Sequence, residues 1–85
     1  MAENDKSKDK KTITIIVNGN PVAFTDHEVT GLQIKEASIN QGVAIQVDFN
    51  LFEIKEKKLK PVSDTTTISI HKDEEFRAVT PDDNS

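Results

Sequence analysis

The sequence predicts one α+β domain in which a single main helix covers one mixed β-sheet. Three observations support this prediction. The chain has 85 residues and no cysteine, so one small core without disulfides must hold the fold together. Short runs of β-branched residues bounded by turn residues recur along the chain, as is typical of strands. One segment, beginning at Thr30, carries the start signals of a helix.

The first two strands are predicted to form a β-hairpin. Residues 12–17 read Thr-Ile-Thr-Ile-Ile-Val, and their alternation places the odd-numbered side chains on one face of a strand. Residues 18–20, Asn-Gly-Asn, predict the turn because Asn and Gly tolerate positive φ. Residues 21–25 form the second strand. Pro21 cannot donate to a ladder, which suits the first residue of a strand or an outer edge.

The helix is predicted to begin at Thr30. Thr30 and Gln33 have the spacing of a capping box, and Val29 and Ile34 occupy the two positions of a hydrophobic staple. Gly42 is a suitable left-handed stop. The helix is therefore expected to have about three turns, with a narrow apolar stripe toward the core.

The second half of the chain is predicted to add two strands. Residues 43–54 are rich in β-formers and indicate a third strand, with a kink or bulge inside it. Residues 55–61 carry four lysines and are interpreted as a charged connector. Residues 65–70 alternate as strand residues do and predict the last main strand. Phe76 and Val79 then stand as isolated apolar residues.

The order hairpin, helix, strand, connector, strand predicts a β-grasp fold with four to five strands. In that fold the last strand returns parallel to the first, and both lie in the centre of the sheet. A simple αβ sandwich with another strand order is the alternative. Residues 1–11 and 80–85 are polar and are expected to be flexible tails on a domain at residues 12–79.

Composition excludes several classes of function. Eleven Lys and Arg against 15 Asp and Glu give a net charge of −4, which argues against binding to nucleic acid or an anionic membrane. The chain has no apolar run of the length of a secretory signal or a membrane span, so a cytoplasmic protein is expected. His27 and His71 lie in a predicted loop and at a strand end, where structural or solvent-exposed roles are favoured. We therefore expect no enzyme, no catalytic residue, no cofactor and no metal site.

At this point the residues resemble a known family. Ile-Val-Asn-Gly at residues 16–19, and Phe76 ahead of Pro81, are the most specific features of this likeness. The hairpin, the helix around residues 33–37 and the later strands complete it over residues 12–81. The chain resembles the multiubiquitin-type ubiquitin-like domains of bacteria, which are similar to modifiers of ubiquitination-like systems linked to phage defence.

The resemblance implies a protein modifier whose C-terminal carboxylate is adenylated with ATP by an E1-like enzyme. An E2-like enzyme would pass it to target proteins, and a processing peptidase would trim its end. Conventional modifiers end in Gly-Gly, whereas this chain has glycine only at Gly19, Gly31 and Gly42, so trimming to expose Asp83 or Asn84 is one interpretation. Phe76 is expected to anchor the tail. The residues expected to serve activation or processing are Arg77, Ala78, Val79, Thr80, Pro81, Asp82, Asp83, Asn84 and Ser85.

Two other classes of function stay open. A non-covalent β-grasp adaptor would bind a partner through a sheet face or edge, and Ile16 and Leu59 are candidates for an apolar docking patch or for simple core packing. An RNA-binding module would use the lysines of residues 55–60. That run has no interleaved aromatic residues and contains Glu56, so a solvated connector is favoured.

Overall fold

A computed structural model describes residues 12–81. The expected tail at residues 1–11 and residues 82–85 of the tail expected at 80–85 lie outside the described residues. Within this part of the chain, one helix packs on a five-stranded sheet, and two further strands form a small second sheet. The elements are β1 (Ile13–Val17), β2 (Asn20–Phe24), β3 (Glu28–Thr30), α1 (Gly31–Asn40), β4 (Asn50–Lys55), β5 (Lys58–Val62), β6 (Thr67–Ser69) and β7 (Glu75–Val79).

The five-stranded sheet has the order β2-β1-β7-β4-β5. Strands β1 and β7 run parallel to each other, while the pairs β1–β2, β7–β4 and β4–β5 are antiparallel. The first and last strands of the described chain are therefore neighbours in the centre of a mixed sheet. This arrangement, with one helix, confirms the predicted β-grasp fold. Strands β3 and β6 form the second sheet.

The core lies between the helix and the inner face of the large sheet. Alternation along β1 turns Ile15 and Val17 inward, while Ile34 of α1 faces them from the other side. Each of these three side chains has no solvent exposure. Burial of this apolar surface is the main favourable term in folding a domain of this size. The remaining buried apolar residues are Val22, Phe24, Val29, Val43, Ile45, Leu51, Val62, Ile70, Phe76 and Ala78.

The predicted signals at the ends of the helix are confirmed. The Thr30 hydroxyl accepts a hydrogen bond from the Gln33 N–H at 3.1 Å, and the Gln33 side chain accepts one from the Thr30 N–H at 2.8 Å. This is the reciprocal pattern of a capping box, which satisfies two backbone donors at the helix start. Gly42 has a φ of 98°, as expected for the left-handed residue after a helix.

The predicted hairpin is confirmed as well. Asn18 and Gly19 have φ values of 53° and 83°, and Val17 pairs with Asn20 across the turn. Two successive residues at positive φ give a tight turn whose twist matches that of the flanking strands.

The prediction of one long strand over residues 43–54 is wrong, because only residues 50–55 pair in the sheet. The Val43 N–H donates to the Ser38 carbonyl at 2.9 Å, and the Ile45 N–H donates to the Val43 carbonyl at 2.9 Å. These local bonds use the backbone groups that a ladder would need. Val43 and Ile45 still fill the core as buried side chains, so their apolar character reflects burial without a strand.

The prediction of a connector over residues 55–61 is also wrong. Residues 58–62 form β5, which pairs with β4 through a two-residue turn at Glu56 and Lys57. Both turn residues have positive φ, at 52° and 67°, although neither is the glycine or asparagine that usually signals such a turn. Lysine and proline are common on exposed edge strands, and here they masked the strand pattern.

The predicted last main strand at residues 65–70 reduces to β6, a three-residue strand that pairs with β3. The last strand of the large sheet is instead β7, which contains Phe76 and Val79. Its sequence, Glu-Phe-Arg-Ala-Val, alternates exposed and buried residues. Arg77, Ala78 and Val79, which were among the residues expected to serve activation or processing, therefore belong to the sheet.

Candidate functional site

The candidate site is centred on β7, because this strand leads into the C-terminal segment. Phe76 and Ala78 point into the core and are 2% and 4% exposed. Arg77 and Val79 alternate with them and lie on the opposite, outer face of the sheet. Thr80 and Pro81 follow as exposed residues. Of the residues expected to serve activation, Asp82, Asp83, Asn84 and Ser85 lie outside the described residues.

Asn18 holds the end of β7 in place. Register pairing between β1 and β7 covers only Ile16 with Glu75 and Val17 with Phe76. Beyond Val17, the Asn18 side chain makes the hydrogen bonds to β7 that a longer β1 would make. Its Nδ2 donates to the Ala78 carbonyl at 3.0 Å, and its Oδ1 accepts from the Ala78 N–H at 2.8 Å.

The backbone N–H of Asn18 also donates to the Phe76 carbonyl at 3.0 Å. One turn residue therefore satisfies three backbone groups of β7 and keeps the strand in the sheet as far as Ala78. The sequence identified Asn18 only by its tolerance of positive φ. Nothing in the local pattern indicated a contact with a residue 60 positions away in the chain.

A row of side chains crosses the outer face of the sheet. The register aligns Ile16 of β1 with Glu75 of β7, then Ile54 of β4, then Leu59 of β5. Ile16 and Ile54 are half-buried and Leu59 is 53% exposed. The structure thus brings the two predicted docking residues, Ile16 and Leu59, to the same face, with Ile54 between them.

A second row lies beside the first, toward the C-terminal end of β7. Arg77 aligns with Phe52 of β4 and Pro61 of β5, and Val79 lies one step further on. A shallow depression of about 430 Å³ follows β7 on this face and is lined in part by Ile16 and Arg77. The outer face therefore combines apolar side chains with the charged side chains of Glu75 and Arg77 on the strand that leads into the C-terminal segment, as protein-binding surfaces often do.

Lys35 is a buried cation that the sequence did not single out. It is 4% exposed, and its Nζ lies 2.7 Å from Asp64 Oδ1 and 2.8 Å from the Phe49 carbonyl oxygen. These contacts join the helix to the loop after β5 and to the irregular segment before β4. Because the ammonium group already has two partners, its role here is structural.

Two carboxyl groups lie close together near one end of β4 and β7. Burial raises the pKa of Glu53, and a hydrogen bond and repulsion from Glu74 raise it further, against the smaller effects of Lys55 and Lys60. Lys55 Nζ lies 3.8 Å from Glu53 Oε2 and 3.9 Å from Glu74 Oε2. The raised pKa means that Glu53 holds its proton more readily than an exposed glutamate does.

The two histidines line a common depression of about 350 Å³, together with Ile13 and Lys72. Within residues 12–81, no group of three His, Cys, Asp or Glu side chains is placed to bind a metal ion. The same part of the chain has no helix that is long and apolar enough to cross a membrane.

The parallel first and last strands, the mixed sheet and the single helix define a ubiquitin-like β-grasp domain. The family model of multiubiquitin matches residues 13–83, which is most of the chain. The protein belongs to the multiubiquitin family. Neither the comparison with curated proteins nor the comparison with solved structures gave a match.

Proposed function

We propose that this protein is a ubiquitin-like modifier that is conjugated through its C-terminus, whole or trimmed, in a bacterial ubiquitination-like system with an anti-phage role. Membership of the multiubiquitin family is the observation that carries this proposal. The matched region begins in β1 and continues past β7 as far as residue 83. It thus includes most of the segment on which the chemistry would take place.

All catalytic groups would belong to partner enzymes. A C-terminal carboxylate oxygen attacks the α-phosphorus of ATP on the E1-like enzyme, and pyrophosphate leaves. A nucleophilic side chain of the partner then attacks the acyl carbon, and AMP leaves. After transfer to the E2-like enzyme, an amine or hydroxyl of the target takes the acyl group.

The exit of the C-terminal segment supports this role. Val79 is the last residue paired with β4, and residues 80–85 extend the chain by up to about 20 Å at the usual rise per residue. A partner would need a narrow channel that accepts Pro81 and acidic residues, since no glycine pair is present.

The outer face of the sheet supports docking of those enzymes. Ile16, Ile54 and Leu59 lie on the same face as Arg77 of β7. A partner seated there would contact the strand that leads directly into the C-terminal segment. Docking and positioning of the carboxylate would then depend on one rigid element of the fold.

The decisive experiment is intact-mass analysis after incubation with ATP and the E1-like, E2-like and peptidase proteins of a bacterial ubiquitination-like system. We expect trimming, a covalent enzyme-linked species, and transfer to a target. Deletion of residues 81–85 should abolish the covalent species while preserving β7. The matched control is deletion of residues 1–11, which leaves the C-terminus intact and should not prevent conjugation. An active enzyme set that gives no covalent species would refute the proposal.

A non-covalent adaptor is the second candidate function, and the apolar side chains on the outer face favour it. An adaptor would bind its partner through Ile16, Ile54 and Leu59 without any chemistry at the C-terminus. The same deletion of residues 81–85 separates the two functions. Retained partner binding and retained biological activity would establish the adaptor, whereas loss of activity with retained binding would favour conjugation.

A further inference from the structure

The two edges of the large sheet, β2 and β5, differ in the hydrogen bonds that they offer. The N–H groups of Ile16 and Asn18 donate to the carbonyls of Glu74 and Phe76, at 2.8 and 3.0 Å. Alternate residues of a strand direct their backbone groups to opposite sides. The intervening residues of β1 therefore bond to β2, and the register leaves the backbone of Pro21 and Ala23 facing outward from β2.

The β2 edge is closed by the helix end. The Gln41 side chain donates from Nε2 to the Ala23 carbonyl at 2.9 Å and accepts from the Ala23 N–H at 2.9 Å. Pro21, the other outward-facing residue, has no N–H to offer. A partner strand would have to displace the Gln41 amide before it could pair with β2.

The β5 edge is open. The same alternation of backbone groups holds in β7 and in β4. When it is followed along the register from β7 to β4 and then to β5, the backbone groups of Leu59 and Pro61 point away from the sheet. No hydrogen bond joins these groups to another part of residues 12–81. Pro61, like Pro21, has no N–H, but no side chain of the described residues covers this edge as Gln41 covers β2. The edge thus offers the Leu59 N–H and the carbonyls of Leu59 and Pro61, which is enough for three hydrogen bonds to an added strand.

The side chains of β5 alternate between two kinds of surface. Leu59 and Pro61 lie on the outer, apolar face of the sheet, whereas Lys58 and Lys60 lie on the other side. The ion pairs among the described residues involve Lys35 and Lys55 but not these two lysines. Lys58 is opposite Lys55, whereas Lys60 is opposite Glu53 of β4, so positive charge is most concentrated at the end of the edge that holds Lys58.

We propose that β5 binds an extended peptide of alternating apolar and acidic residues, which adds to the sheet as a sixth strand. Apolar side chains of the peptide would pack beside Leu59 and Pro61 and extend the outer face. Its carboxylates would lie beside Lys58 and Lys60. The lysines disfavour pairing with β5 of a second copy, because like charges would then be adjacent. This inference does not depend on the C-terminus or on conjugation.

The test is a titration of the full chain, labelled with ¹⁵N, with the acetylated peptide Val-Glu-Val-Glu-Val-Glu. We expect chemical-shift changes along β5, slower hydrogen exchange of the Leu59 amide, and weaker binding as salt is raised. The matched peptide Glu-Glu-Glu-Val-Val-Val has the same composition but cannot alternate. A single-stranded oligouridylate is titrated in parallel as the nucleic-acid alternative.

Variants complete the test. Lys58→Glu combined with Lys60→Gln should weaken binding of the alternating peptide by roughly tenfold. Lys72→Glu, a charge change at an exposed turn residue away from β5, should leave binding unchanged. The spectra of the variants report whether the sheet is intact. Lys58→Glu should not disrupt it, because it places an opposite charge across from Lys55.

Three results would overturn the inference. The first is equal binding of the two peptides, and the second is a set of shifts that maps to β2 or the helix. The third is binding of the oligouridylate to these lysines without binding of the peptide. Deletion of residues 81–85 should leave peptide binding unchanged. A failed conjugation assay and a failed β5 assay are therefore distinguishable.

Discussion

Asn18→Gly should loosen the C-terminal strand without disturbing the turn. Glycine keeps the positive φ of 53° that Asn18 adopts, so the substitution removes the side chain and little else. Two hydrogen bonds to Ala78 are lost, at 2.8 and 3.0 Å. A typical net hydrogen bond contributes about 0.5–1.5 kcal/mol, so the end of β7 should lose about 1–3 kcal/mol.

Amide hydrogen exchange is the assay for this loss, because the Ala78 N–H is itself the donor of one bond. A loss of about 1.4 kcal/mol corresponds to a tenfold change in an equilibrium constant. Exchange at Ala78 should therefore accelerate roughly 5- to 150-fold, by more than exchange in β2 or β4. Asn18→Asp is the matched control, since its carboxylate still accepts from the Ala78 N–H but cannot donate to the Ala78 carbonyl.

Unchanged protection of Ala78 in Asn18→Gly would refute the reasoning, because the strand end would then be held by its pairing with β4 alone. Equal acceleration throughout the sheet would also refute it, since the loss would then be global. In the conjugation assay, a loosened strand end should leave trimming intact but lower the yield of the enzyme-linked species, because the carboxylate is less well positioned.

Two further predictions concern charged groups. Asp64→Asn should destabilise the domain by about 1–2 kcal/mol in urea unfolding, because Lys35 then keeps a buried charge without its counter-ion. The Asp64 side chain is 48% exposed, and solvent screening therefore limits this loss of stability. Lys35→Met should cost less than Asp64→Asn, and the opposite order would contradict this account. Glu53→Gln should stabilise the domain at neutral pH, because the raised pKa of Glu53 means that the folded state prefers the protonated form. The free energy of unfolding of the wild type should fall as pH rises from the ordinary glutamate range through the raised pKa of Glu53. The extra stability of Glu53→Gln over the wild type should therefore grow over that pH range. A difference that shrinks with rising pH would exclude this explanation.

The parts of the fold that depend on residues close together in the sequence could be predicted from it. The capping box of Thr30 and Gln33 and the Asn18-Gly19 turn are local arrangements, and the structure contains both. Strands β5 and β7 could not be recognised in the same way. Lysine and proline interrupt the strand pattern in β5, and β7 contains only isolated apolar residues. Both strands form by pairing with β4, which is distant from β7 in the chain.

The candidate site was predicted less completely than the fold. The sequence indicated Ile16 and Leu59 as docking residues, but Ile54 joins them only through the register of β4 with β5 and β7. Gln41 and Asn18 bond to backbone groups 18 and 60 residues away. Side-chain amides that complete a sheet carry no periodic signal, so only the folded chain shows what they do.

The position of β7 has a mechanical consequence for any enzyme that acts on the C-terminus. The segment after Val79 continues from a central strand, which is bonded to β1 on one side and to β4 on the other. A pull on an edge strand would break one ladder, whereas a pull on β7 must break two ladders and the bonds of Asn18. An enzyme can therefore draw the C-terminus into a channel against a fixed support. Only the residues after Val79, which is the last residue paired with β4, can follow without unfolding the sheet.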